Sequence, residues 1–248
     1  YKRQGIVGLT VLNCTASVNA VGINATIVSN CVAYLNTANG IGGTTITDCV
    51  ASNNAIGFRV GGTITNCTAI GNGTGFLASS YQGPPFPASV TISNCTATLS
   101  AADGFSVEDG CIVVNCSAIA NYGNGIACTS RCTIRDNNCA KNGYQFTDHA
   151  GILATGTNNR IEGNNCTGAY RGIRVDGVRS LVTSPHLANL EVLDLTNARL
   201  SPEVARLLAS SLPRLKWLDL TGCDLQSEGV RELVGPHSRL NELGWLNL

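Results

Sequence analysis

The sequence has no methionine, little charge and few aromatic side chains. Of its 248 residues, 13% are charged and 5% are aromatic. Soluble domains typically carry roughly 25% charged residues, so the surface of this protein is expected to be unusually neutral. Its 16 basic and 16 acidic residues cancel. A chain without excess positive charge lacks the basic surface that nucleic-acid binding requires, which excludes that class of partner.

Long apolar runs are also missing. No stretch approaches the roughly 18 residues of a membrane-spanning helix, so no membrane span is predicted. A hydrophobic content of 44% excludes extensive disorder. The chain begins at Tyr1 without an initiator methionine, which predicts a processed, trimmed or partial chain.

The sequence is instead rich in glycine and cysteine, and both recur in register. Gly followed by Ile or Phe recurs at steps of 17 to 29 residues, at Gly5, Gly22, Gly40, Gly57, Gly75, Gly104, Gly125, Gly151 and Gly172. A cysteine that follows Asn or Asp recurs in step with it, at Cys14, Cys31, Cys49, Cys67, Cys95, Cys116, Cys139 and Cys166. Short β-branched segments such as Thr63–Thr65 lie between turn residues. Units this small cannot bury a face alone, so they must stack.

This repeat resembles that of right-handed parallel β-helix proteins of the pectate-lyase-like type. The resemblance covers residues 5–180 and predicts a mainly β fold of about nine coils over residues 1–183. In that family an internal asparagine ladder stacks at one turn. The residues that match it directly precede the cysteines: Asn13, Asn30, Asp48, Asn66, Asn94, Asn115, Asn138 and Asn165.

After Val182 the composition changes. Three segments echo one another, at residues 190–195, 215–220 and 243–248. Their LxxLxL pattern resembles leucine-rich repeats of the ribonuclease-inhibitor-like kind. Between them, Ser201-Pro202-Glu203 is a helix-start signal. The sequence therefore predicts a short α/β leucine-rich-repeat solenoid over residues 184–248, which continues the β-helix and is incomplete at its C-terminus.

The cysteines are predicted to be reduced. Side chains stacked on neighbouring parallel strands lie about 4.8 Å apart, outside the roughly 3.5–4.5 Å between Cβ atoms that a disulfide needs. If a disulfide forms, Cys111, Cys128 and Cys132 are its candidates. Zinc-type ligand spacing is missing. Neither a metal nor a cofactor is predicted.

Catalytic groups are scarce in the sequence. The β-helix enzymes that act on pectin use clustered carboxylates, with calcium and an arginine base in lyases or paired aspartates in hydrolases. Between residues 4 and 130 the only charges are Asp48, Arg59, Asp103, Glu108 and Asp109. The best remaining cluster is Asp148, His149, Arg171, Arg174 and Asp176, where an Asp and an Arg could flank an anionic sugar, but a solvated face with a turn aspartate is the favoured explanation. No catalytic residue is predicted. The excursions at residues 81–87 and 144–149 are candidate binding loops or neutral insertions.

A candidate protein-interaction face lies in the C-terminal repeats. Trp217 and Trp245 fall at equivalent strand positions, beside Asp194, Asp219 and Asn247. The leucine-rich-repeat resemblance implies that such a strand face binds proteins, and Trp is enriched at interfaces. Lateral packing of two stacked rings is the alternative explanation.

The charge-poor rod is predicted to associate with itself. The leading hypothesis is a non-enzymatic structural or adhesive protein, extracellular or at the cell surface, that stacks through its solenoid ends into fibres. One alternative is a polysaccharide lyase or hydrolase of the β-helix type. A second alternative is a protein-binding module that uses the leucine-rich face.

Overall fold

The computed structural model describes residues 5–78, 90–143, 149–156, 158–169, 171–175, 191–195, 202–223, 225 and 227–248. The described residues between positions 5 and 175 form a mainly β, right-handed parallel solenoid. Each turn contributes strands to three faces. Within the described residues no helix is long and apolar enough to cross a membrane.

Faces 1 and 2 belong to one 13-stranded sheet. Its first four strands are long and cross both faces: β1 (Ile6–Leu12), β3 (Ile23–Ser29), β5 (Asn39–Thr47) and β7 (Ile56–Thr65). Beyond β7 the two faces have separate strands. Face 1 continues with β9 (Thr74–Ala78), β12 (Phe105–Val107), β15 (Ile126–Cys128), β18 (Ala150–Ala154) and β21 (Arg171–Val175). Face 2 continues with β10 (Thr91–Ser93), β13 (Ile112–Val114), β16 (Thr133–Arg135) and β19 (Arg160–Glu162).

Face 3 is a separate sheet of eight short parallel strands. They are β2 (Thr15–Ser17), β4 (Val32–Tyr34), β6 (Val50–Ser52), β8 (Thr68–Ile70), β11 (Thr96–Thr98), β14 (Ser117–Ile119), β17 (Asn138–Ala140) and β20 (Asn165–Thr167). The described chain thus completes about eight turns, one fewer than the nine that the sequence predicts. The difference arises because the last glycine-marked coil contributes only β21 before residue 176.

The core is built from stacked columns of identical or similar side chains. Phe58, Phe76 and Phe105 stack inside face 1, with ring centroids 4.8 and 4.7 Å apart. Small side chains, mostly alanine, line the inside of face 3 and allow the faces to approach one another. Period-2 alternation places the central residue of each three-residue strand of face 3 inward.

The cysteine column is real but shorter than predicted. Six cysteines occupy one corner, between faces 2 and 3: Cys14, Cys31, Cys49, Cys67, Cys95 and Cys116. The backbone N–H of each of the first five donates to Sγ of the next, at 3.3–3.4 Å. In the next two coils asparagines replace the cysteines at this corner. Asn137 Oδ1 accepts a hydrogen bond from the N–H of Cys116 at 2.8 Å, and Asn164 Oδ1 accepts one from the N–H of Asn137 at 2.9 Å. Cys139 instead pairs with Ala118 inside face 3, and Cys166 pairs with Cys139.

All twelve cysteines are free thiols, including Cys111, Cys128 and Cys132, the three candidates for a disulfide. Burial raises the pKa of Cys111 to about 11, which keeps that thiol protonated and unreactive at neutral pH.

The predicted asparagine ladder is in the wrong place. All eight residues before the cysteines are exposed, and six of them are left-handed, for example Asn30 with φ 52° and Asn66 with φ 55°. The other two, Asn138 and Asn165, begin strands β17 and β20. Asn and Asp tolerate that conformation better than other residues with a side chain, and this explains their recurrence there. The internal ladder lies at the opposite corner, between faces 3 and 1. Its asparagines are Asn36, Asn54, Asn72, Asn121 and Asn142, all buried.

Residues 191–248 contain three parallel strands and two described helices. The elements are β22 (Val192–Asp194), α1 (Pro202–Ser211), β23 (Trp217–Asp219), α2 (Ser227–Val234) and β24 (Trp245–Asn247). Leu193 and Leu218 point inward, and Leu208 and Leu233 of the helices are also buried. The predicted boundary at residues 183/184 and the predicted continuation of the solenoid lie outside the described residues.

Candidate functional site

The charged residues of face 1 occupy its outer surface. The strand register places one outward residue from each strand in a single row, which runs Arg59, Leu77, Ser106, Ala127, Leu153 and Arg174. Five strand spacings separate the two arginines, which corresponds to about 24 Å at about 4.8 Å per strand. Between them the row carries only small or apolar side chains, so it forms a neutral floor with a cation at each end.

Two arginines of face 1 have an unusual environment. Among the described residues, Nε of Arg59 and Nε of Arg171 are buried and have no hydrogen-bond partner. A guanidinium stays protonated in proteins, and a buried donor without a partner costs about 1–3 kcal/mol. Arg59 lies next to Gly42 in the register, where a Cβ would come within 3.1 Å of Asn24 Oδ1. Among the described residues neither Arg59 nor Arg171 forms an ion pair.

A polar ladder lies along one edge of face 1. Asp103 Oδ1 accepts hydrogen bonds from the backbone N–H of Asn124 at 2.7 Å and from its Nδ2 at 2.9 Å. Asn124 Oδ1 in turn accepts from the N–H of Ala150 at 2.8 Å. Ala150 pairs with Arg171 on the next strand. The carboxylate of Asp103, the Asn124 amide and the Arg171 guanidinium therefore follow one another along this edge.

The structure brings together part of the predicted charged cluster. His149 precedes Ala150 at the start of β18, and Arg171 and Arg174 lie on the adjacent strand β21. Asp148, Asp176 and the excursion at residues 81–87 lie outside the described residues, as do residues 144–148 of the second excursion. Sequence reasoning missed the pairing of Asp103 with Asn124, because neighbouring coils place residues 21 positions apart in contact.

Metal binding finds no support in the part of the chain that the structure describes. There, no group of three or more His, Cys, Asp or Glu residues has a geometry that could hold a metal ion. Asp109 is a paired carboxylate, and its hydrogen bond with Arg131 lowers its pKa. That pair is exposed and lies at the corner between faces 1 and 2.

The predicted tryptophan face is assembled as expected from the register. Trp217 and Trp245 stack with centroids 4.5 Å apart and planes 3° apart. Beside them, Thr221 donates to Asp219 Oδ1 from its N–H and its hydroxyl, at 2.9 and 2.6 Å. Asn247 Nδ2 donates to the Thr221 hydroxyl at 2.8 Å. Burial opposes ionisation of Asp219, but the bonds from Thr221 and Asn247 outweigh it and lower the pKa of Asp219.

Asp194 pairs with Asp219 through the backbone, and its side chain lies outside the described residues. A face built from stacked indoles and a hydrogen-bonded polar row has the composition of an interface. The geometry alone is equally that of two rings packed on one another. The use of this face stays a prediction.

Comparison with known proteins finds relatives only at the level of structure. No known protein family matches the chain, and no curated protein matches it. The A-module of mannuronan C-5 epimerase AlgE4 from Azotobacter vinelandii matches with a TM-score of 0.57 and 20% identity, over 67% of this chain and 55% of that one. The AlgE6 A-module from the same organism matches with a TM-score of 0.56 and 18% identity, over 67% and 54%. The chain spans about half the length of both structures.

These comparisons contradict the leading functional hypothesis. Both neighbours are enzymes with a β-helix fold, so the prediction of a non-enzymatic, fibre-forming structural protein is wrong, and the enzyme alternative is favoured. The prediction failed because it counted the few charges of the rod without knowing on which face they lie. The charges of the solenoid are unevenly distributed, and face 1 keeps arginines and a carboxylate on a scaffold that is otherwise nearly neutral. At this level of identity the likeness shows the parallel β-solenoid fold.

Proposed function

We propose that the protein is a polysaccharide-acting β-helix enzyme and that the outer surface of face 1 binds an acidic polysaccharide. The observation that carries the proposal is the pair of buried, unpartnered Nε atoms of Arg59 and Arg171 on one face. Both arginine side chains are partly exposed, so a bound carboxylate would approach the guanidinium from the outer surface of face 1 and neutralise its charge. The neutral floor between Arg59 and Arg174 suits a sugar chain that runs along the solenoid axis. The named substrate of both structural neighbours, mannuronan, is an acidic polysaccharide.

Among the described residues, the spacing of the two carboxylates beside β12 favours proton abstraction over hydrolysis. Glycoside hydrolases need two carboxyl groups roughly 5–9.5 Å apart. Asp103 and Glu108 flank β12 five residues apart, which places their Cα atoms roughly 16 Å apart along an extended strand. Lyases and C-5 epimerases instead start by removing the proton next to the substrate carboxylate. That step needs a cation on the carboxylate and a base, and Arg171, Asp103 and His149 are the groups of suitable type at this edge.

Binding of acidic oligosaccharides by arginine variants tests the proposal. A charge-assisted hydrogen bond is worth about 1.5–3 kcal/mol, so Arg59→Gln or Arg171→Gln should weaken binding about 10- to 100-fold. Calorimetric titration with uronic-acid oligomers measures the loss. The matched control is Arg160→Gln on face 2, since Arg160 is already paired with Glu162 at 2.9 Å. Equal binding by all variants, or equal binding of neutral oligomers, would contradict the proposal.

We infer a second activity for the C-terminal residues, namely protein binding by a leucine-rich-repeat unit. The stacked Trp217 and Trp245, with Asp219 and Asn247 alongside, support it. The alternation of strands with helices α1 and α2 is typical of such repeats. The Trp217→Ala, Trp245→Ala double variant should lose a partner captured by the wild type. If the double variant retains that partner, the two tryptophans only pack on one another and do not bind it. An extracellular or cell-surface location follows from the proposed substrate, and secretion of the tagged full-length chain tests it.

A further inference from the structure

Face 3 differs from the other two faces in having no charge. Its eight strands comprise 24 residues, and none of them is Asp, Glu, Lys or Arg. The two outward positions of each strand carry Thr, Ser, Asn, Ala and apolar residues, among them the exposed Val32, Tyr34 and Ile70. Faces 1 and 2, in contrast, carry Arg59 and Arg160 on their outer surfaces. A strand face without charge can be covered without desolvating any ion.

The corner next to face 3 adds exposed apolar residues in a strained conformation. Val18, Leu35 and Leu99 have φ values of 58°, 55° and 57°. They are 59%, 53% and 54% exposed. Other coils place Asn53, Gly71, Ala120 or Lys141 at the same corner, and of these asparagine and glycine tolerate a left-handed backbone best. A β-branched or leucine side chain there costs stability in the isolated chain, and an outlier of this kind points to a use for the side chain.

We infer that face 3 is an interface between two copies of this chain. The strands themselves carry no charge, so no like charges meet where strands pack on strands. The exposed Asp48 and Lys141, at the two flanking corners, place their charges at the rim of the face. Homodimer interfaces are more apolar than interfaces between proteins that associate transiently, so an uncharged face suits a second copy of this chain. Two flat sheets pack face to face about 10 Å apart, with outward side chains interdigitating. Contact between identical faces gives a closed two-fold dimer and not a filament.

The size of the face sets the expected affinity. Eight strands span roughly 34 Å, and three strand residues with the two flanking corner residues span roughly 17 Å. The product, about 580 Å² per copy, lies below the roughly 800 Å² per partner of a standard stable interface. The dimer is therefore expected to belong to the weak, transient class of complexes.

Sedimentation velocity of the full chain from about 1 to about 200 µM tests this inference. The wild type should shift from monomer to dimer across that range. Ile70→Lys places a charge in face 3 and should raise the dissociation constant at least 10-fold. The matched control is Ile27→Lys on face 2, where the isoleucine is exposed to nearly the same degree, 43% against 39%. It should dimerise like the wild type.

Three results would overturn the inference. A wild type that stays monomeric to the highest concentration lacks the interface. Equal dissociation in Ile70→Lys and Ile27→Lys places the contact elsewhere or makes it nonspecific. Flotation of monomers with phosphatidylcholine vesicles, lost in Ile70→Lys, would assign face 3 to a lipid surface instead. Circular dichroism confirms that each variant is folded.

Discussion

The asparagine ladder contains one gap, and filling it should stabilise the protein. In coils with asparagine at this corner, the backbone N–H and Nδ2 of one asparagine both donate to Oδ1 of the next, as from Asn54 to Asn72 at 2.9 and 3.1 Å. Ser100 follows Asn72 in this row and is too short to accept these bonds. Its Oγ is buried and has no hydrogen-bond partner.

Ser100→Asn should restore up to four hydrogen bonds. Two would come from the N–H and Nδ2 of Asn72 to the new Oδ1. The other two would run from the new Nδ2 to Asn121 Oδ1 and to the carbonyl of Ala69, by analogy with the bond from Asn121 to Ala97 at 3.1 Å. Space is available, because Gly75 faces position 100 as Gly57 faces Asn72. At about 0.5–1.5 kcal/mol each, less the cost of ordering the side chain, the gain is about 2 kcal/mol.

Thermal unfolding followed by circular dichroism measures the effect. For a chain of this length, 2 kcal/mol corresponds to about 4–8 °C in Tm. The matched control is Asn54→Ser, which creates the same gap between Asn36 and Asn72 and should lower Tm by a similar amount or more. A Tm for Ser100→Asn equal to or below that of the wild type would refute this reasoning, since the ladder would then not limit stability at this corner.

Two further predictions concern the thiols. Cys67→Asn should cost less than about 1 kcal/mol of unfolding free energy, because Asn137 already accepts the equivalent backbone hydrogen bond at this corner. Cys67→Val should cost about 1–3 kcal/mol, because it leaves the Cys49 N–H without an acceptor. Urea unfolding compares the two, and equal losses would count against a hydrogen-bonding role for Sγ. A thiol reagent at pH 8 should label at most Cys14 and Cys166, the half-buried pair, in the native protein and all twelve thiols after unfolding. Rapid labelling of Cys111 in the native state would disprove the tight burial of the core.

The repeat in the sequence was sufficient to predict the parallel β-helix, because glycine and cysteine recur in step with the coils. It was not sufficient to place the ladders. Asn66 and Asn72 look equivalent in the sequence, yet one is exposed in a left-handed turn and the other is buried. Whether a side chain points into the core or toward solvent depends on where each corner bends. A single residue taken up by a corner reverses the direction of every side chain after it.

The same limitation explains the displaced cysteines. Asn-Cys recurs at Asn115-Cys116 and Asn138-Cys139 with nearly even spacing, but Asp136 takes the left-handed turn in the later coil. Cys139 therefore moves into the alanine column of face 3. Residues that lie far apart in sequence, such as Arg59 and Arg174, share a row only through the register of six strands, so the candidate site on face 1 could not be assembled from spacing alone.

Exchange of the substrate proton tests the central claim most directly. The protein is incubated with uronic-acid polymers in heavy water, and proton NMR follows the carbon that bears the carboxylate. If face 1 acts on acidic polysaccharides by proton abstraction, the wild type should incorporate deuterium there or form an unsaturated product. Arg171→Gln should do so at least about 10-fold more slowly. Polymers that bind but show neither exchange nor cleavage with the wild type would contradict the account.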